Sequence, residues 1–109
     1  MHRDHEIFLA TLHEKRIVIL RFYSKEDKSS IIRACAPMDF GPSRRAKEQS
    51  NRYHFWDYDS DTGRHPLSLL PEQVIEIQDA YNSFDPAEFV TWNILTSPWF
   101  LERNWGKFS

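Results

Sequence analysis

Glycine and cysteine are the scarce residues in this 109-residue chain: three of the first and one of the second. The single cysteine, Cys35, excludes an internal disulfide framework and a multi-cysteine zinc site. Three glycines leave no glycine-rich loop to cradle a phosphate. No apolar run approaches the roughly 20 residues that span a bilayer; the longest strictly aliphatic one is Ile17-Val18-Ile19-Leu20. No basic segment followed by an apolar stretch opens the chain, so a secretory leader is not expected, no membrane partner is expected, and a cytoplasmic location is. A large excess of one charge is lacking too. The formal net charge of −2 argues against a protein that attracts nucleic acid with its whole surface.

Aromatic side chains are what the sequence has in excess. Eight Phe, four Trp and four Tyr make up 15% of it. A domain of this size buries only about 60–68% of its unfolded surface, so large rings can compensate for a small core. The other use of rings is an exposed contact. For the tryptophans near the C-terminus both readings stay open.

The chain reads as one mainly β domain with flanking helices. Residues 3–15 predict a helix, with Asp4 as cap and Phe8, Leu9 and Leu12 as an apolar stripe. The period then changes. Residues 16–23 are β-branched and aromatic, and Ile31 to Ala36 reads as a second strand that Pro37 stops. A polar connection follows, with Phe40-Gly41-Pro42-Ser43 as a turn signal. Residues 52–58 predict a third strand and Leu67 with Leu69 a fourth. Leu70 to Gln73 reads as a one-turn spacer, and residues 74–78 as a fifth strand seated beside the first. Five short strands over residues 16–78 predict a bent sheet or small barrel. Asp85, Pro86 and Glu88 then open a helix, with Phe84 and Phe89 as a hydrophobic staple, so a Trp-rich helical extension is expected over residues 84–109.

From about Leu9 to Ile77 the chain resembles the WYL domain, a small SH3-like or Sm-like barrel preceded by a short helix and found chiefly in bacterial regulators. Glu14-Lys15-Arg16-Ile17-Val18 stands where the family passes from helix to first strand. Arg33-Ala34-Cys35-Ala36-Pro37-Met38-Asp39 fits its strand ending in proline, and Arg52-Tyr53-His54-Phe55 falls at its Trp-Tyr-Leu signature. Only Tyr53 of that signature is kept. Gly63-Arg64-His65-Pro66-Leu67-Ser68-Leu69 falls at its Arg- and Phe-rich strand, and Val74-Ile75-Glu76-Ile77 at its closing strand. The basic residues that follow the Phe strand in typical members are replaced by Leu69-Leu70-Pro71-Glu72. The resemblance implies a regulatory module that binds a nucleotide or nucleic acid.

Four cations fall within nine residues: Arg44, Arg45, Lys47 and Arg52, offset by Glu48. On a loop leading into a ring-rich strand they suit phosphate, with Tyr53 or Trp56 to stack a base. A nucleotide, single-stranded nucleic acid or other anion is the expected ligand, against the plainer reading of a solvated loop. Trp92, Trp99, Phe100 and Trp105 either seal the sheet or offer a patch to a protein partner, most simply a second copy. Asp57, Asp59 and Asp61 alternate as calcium loops begin. Thr62 stands where such loops need glycine and Ser68 where they need glutamate, so a hairpin turn is expected and no metal site. His54, His65, Cys35 and Asp39 are the residues from which a nucleophilic or metal site would have to be built, and His54 and His65 could lie near each other if the third and fourth strands pair. Nothing orients a base toward Cys35, so no catalysis and no cofactor are expected.

Overall fold

In a computed structural model, residues 1–43, 46–60 and 63–109 are described. The apolar stripe of the first segment forms helix α1, His5–Glu14, which buries Phe8, Thr11 and Leu12. Lys15 ends it in the left-handed region (φ 56°), and its N–H turns back to the Leu12 carbonyl. Asp4 occupies the cap position but does not cap. Its carboxylate instead accepts the Ile77 N–H at 3.0 Å, so the predicted cap ties the helix to a distant strand.

The strands are β1 (Arg16–Ser24), β2 (Ser29–Pro42), β3 (Asn51–Asp57), β4 (His65–Leu69) and β5 (Val74–Ser83). They form one antiparallel sheet in the order β4-β3-β2-β1-β5. Alternation sets the faces. In β1, Val18, Leu20 and Phe22 are buried while Ile19, Arg21 and Tyr23 face out. The fifth strand lies beside the first, as the sequence predicts, and Pro71–Gln73 makes the one-turn 3-10 spacer before it. β4 and β5 are the two outer strands.

Two boundaries depart from the sequence reading. Pro37 does not stop β2, which runs on to Pro42 and pairs Phe40, Gly41 and Pro42 with Tyr53, Arg52 and Asn51. The predicted turn at Phe40 to Ser43 is thus mostly strand. The proline is tolerated because the pairing with β1 ends at Cys35, so no neighbour on that side requires its missing N–H. A register shift between Pro37 and Asp39 marks a bulge there.

The second departure is the tail. No α-helix follows Asp85 among the described residues; the extension contains 3-10 turns at Pro86–Glu88 and Gly106–Phe108. The start signals are all in place: Asp85 accepts the Ala87 N–H, Glu88 reaches back to the Asp85 N–H, and the Phe84 and Phe89 rings meet at 5.7 Å. Propagation fails, because β-branched Val90, Thr91 and Ile94 and Asn93 follow, and neighbours Phe89 and Val90 are both buried. Adjacent buried residues suit an extended or irregular strap, not a helix face. The strap joins the core through Phe84, Phe89, Val90 and Trp105, packed with Phe8, Leu12, Val18, Leu20, Tyr53, Phe55 and Ile77.

Candidate ligand-binding site

The strap and the residues of β2, β3 and β4 beside it enclose a cleft of about 600 Å³. Met38, Pro66, Pro98, Trp92, Trp99 and Phe100 supply its apolar walls, and Asp39, Ser43, His54, Ser68 and Ser97 its polar groups. That mix of apolar lining with a few convergent polar groups is what small-molecule sites share.

Buried Asp39 anchors the strap beside the cleft. Its carboxylate accepts the Phe100 and Leu101 N–H groups at 2.9 and 3.0 Å, and its own neighbour's, Phe40, at 3.0 Å. Arg103 completes the set at 3.2 Å, donates to the Met38 carbonyl, and lies over the rings of Trp99 and Trp105 at 4.0 and 4.4 Å. Its side chain is wholly covered. Burial pushes the guanidinium down to about 10 against the pull of Asp39, so it stays charged at neutral pH. Gly41 is needed here for space: a Cβ would run into the Phe100 ring.

His54 holds the other wall. Register places it opposite Ser68, while His65 stands opposite Asp57, so the two histidines are not paired. The His54 Nε2 is 2.9 Å from the Gly41 carbonyl and Nδ1 is 2.7 Å from Ser68 Oγ. A carbonyl can only accept. Nε2 therefore carries the proton, and in the neutral ring Ser68 donates to Nδ1.

The cation cluster is divided. Arg44 and Arg45 lie outside the described residues. Lys47 is exposed on the β2–β3 loop, and Arg52 shares with His54 and Trp56 the β3 face opposite to buried Tyr53, Phe55 and Asp57. Arg52 Nε is buried without a hydrogen-bond partner. Tyr53 has no exposed surface; its ring packs on Phe8 and Phe40, and its hydroxyl meets the His2 N–H at 3.0 Å and His5 Nδ1 at 2.8 Å. The stacking role expected of Tyr53 is closed to it as placed, because strand parity turns it into the core.

The tail tryptophans divide too. Trp105 is 3% exposed and donates to the Leu12 carbonyl at 2.9 Å, so it seals the fold. Trp99 is half-buried between Trp92 and Trp105. Trp92 and Phe100 are 37% and 48% exposed and border the cleft. Cys35 is buried, and burial pushes its thiol far above the ordinary range, with Asp57 and Asp59 adding to the effect and Arg33 opposing it. No group of metal-ligating side chains occurs among the described residues.

Sequence reasoning missed Ser68 and the cleft itself. The signal that finds them is register: once β3 pairs with β4, Ser68 falls opposite His54; Asp61 and Thr62 of the expected connecting turn lie outside the described residues. No protein-family model matches this chain, and no curated protein or solved structure matches it significantly.

Proposed function

We propose that this chain is a non-catalytic ligand-binding module, a WYL-like SH3-type barrel that holds a nucleotide-sized anion in the cleft beside the cationic loop. The leading helix, the five antiparallel strands and the seating of β5 beside β1 support the barrel reading. The observation that carries the ligand reading is the cleft, whose walls of Trp92, Trp99 and Phe100 supply the ring contacts that Tyr53 does not. Its volume falls in the range of small-molecule sites. Ser43 lines it and is followed directly in the sequence by Arg44 and Arg45. Arg52 stands two residues from His54 on one strand face, about 6.6 Å away along the backbone. Ring walls suit a base, and arginines close by in the sequence suit its phosphate.

The test is titration of AMP and of a short single-stranded oligonucleotide at 50 mM salt against the native chain and the Arg44→Ala/Arg45→Ala and Arg52→Ala variants. Binding that weakens several-fold in the variants and falls with salt supports the module. No binding of either probe overturns it. A second reading has its own observation: Leu95 is 91% exposed and stands in the sequence between exposed Trp92 and Phe100, which fits a protein contact by the strap. A concentration-dependent dimer abolished by Leu95→Ser, without ligand binding, would favour that reading.

A further inference from the structure

We infer that His54 and Ser68 form the oxyanion subsite of the cleft, receiving the carboxylate or phosphate of a planar aromatic ligand, and that this ligand is taken up together with one proton. The inference rests on the cleft being the binding site. It follows from the two hydrogen bonds of one imidazole.

Gly41 fixes the Nε2 proton, so neutral His54 must accept at Nδ1, and the Ser68 hydroxyl proton is spent on that bond at 2.7 Å. Ser68, which is exposed and lines the cleft, then offers the cleft only oxygen lone pairs. That state repels an oxyanion. Adding a proton at Nδ1 reverses the bond: the imidazolium donates to Ser68 Oγ, and the Ser68 O–H is released to donate elsewhere. The Gly41 carbonyl accepts in both states. No hydrogen bond is lost. Meanwhile a donor and a positive charge are gained at the cleft wall, both favouring an anion. By linkage, an anion that prefers the protonated state raises proton affinity in turn.

The surrounding charges permit this. On β2, Asp39 is the strand partner of His54, but its carboxylate is engaged by three backbone N–H groups and Arg103. On β3, Arg52 occupies the same face as His54. On β4, the facing residue is Ser68, with His65 three positions away. From the strap, Trp92, Ser97, Pro98, Trp99 and Phe100 line the cleft and carry no charge; exposed Lys47 and Glu48 of the β2–β3 loop are not among the lining residues, and Glu48 accepts from Ser50. Asp39 is the one carboxylate among the lining residues. Trp92 and Phe100 leave ring surface accessible for the ligand's planar part.

The decisive experiment measures benzoate and AMP binding at pH 5.5 and 8.0, with benzamide and adenosine as uncharged counterparts. Benzoate stays ionised throughout, so any pH effect on it belongs to the protein. The expected result is benzoate affinity about tenfold higher at pH 5.5, no such change for benzamide, and loss of the pH effect in His54→Gln. Ser68→Ala, at an exposed position, should weaken both anions several-fold while adenosine and benzamide bind as before. Ligand should also raise the midpoint of the His54 ring resonances followed by NMR. A preference for AMP over benzoate assigns the subsite to phosphate, and the reverse to carboxylate. Benzoate binding that ignores pH and Ser68→Ala overturns the subsite while the cleft stands. AMP binding lost only with Arg44 and Arg45 overturns it likewise. If no probe binds at either pH, the subsite and the cleft reading fall together.

Discussion

Arg103 decides whether the strap stays down. It is buried without exposed side-chain surface, lies in the corner between two indoles set edge to face, and holds Asp39, the Met38 carbonyl and the Leu101 carbonyl. Arg103→Ala leaves the Asp39 carboxylate buried without its counter-charge, a change that costs about 3–5 kcal/mol. Chemical denaturation should show that loss, and the fluorescence of Trp99 should move toward that of a solvated ring. Neither partner could be singled out from the sequence. They lie 64 residues apart, and Asp39 drew notice only at the end of the proline-containing strand and beside His54, His65 and Cys35 as a candidate site residue. Tyr53 teaches a related lesson. Period two puts Tyr53 with Phe55 on one face and Arg52, His54 and Trp56 on the other. With rings on both faces, the pattern carries no contrast to say which one is inside.

At the scale of elements, α1, β1 and β3 were legible because their burial is periodic, whereas β2 buries Cys35 to Asp39 in one run and was read as stopping short of its end. The strap was not legible, because its buried residues, Phe84, Phe89, Val90 and Trp105, follow no repeat. Their spacing is dictated by the core they cover. Trp105 packs on Phe84, Phe89 and Trp99 and bonds to the last turn of α1, so Trp105→Ala should cost about 3–5 kcal/mol. Trp92→Ala, at an exposed ring, should cost at most about 1 kcal/mol. Thermal unfolding of the two variants checks the contrast; equal, small losses would mean that the strap does not belong to the core.

Across the whole molecule, acid should act in two steps. Burial lowers the proton affinity of His5, Glu6 opposes this, and the N-terminal amine reinforces it, so the folded state favours the neutral ring. The unfolded chain then binds the extra proton first, near pH 6.5, and stability falls as pH drops from there through the folded value. For Asp79, burial pushes the carboxyl up, but the Arg16 hydrogen bond at 2.9 Å, the Tyr81 N–H and the Arg16 charge together carry it below its ordinary range. Its contribution is full above about pH 4 and is lost as pH falls through the folded value. Unfolding midpoints measured from pH 7 to 2 should show both losses. His5→Gln should remove part of the first, and Arg16→Gln the second, with little difference from the native chain left at pH 2.

The outer rim of β5 also bears on how the molecule behaves in a crowd. Arg3 and Asp4 reach down from the start of α1 to occupy the Ile75 carbonyl and the Ile77 N–H, two groups that would otherwise wait for another strand. Two side chains thereby blunt a template for fibrous growth. Replacing both with alanine would bare a ladder rung that any extended peptide could grasp, and slow turbidity on storage would be its first sign.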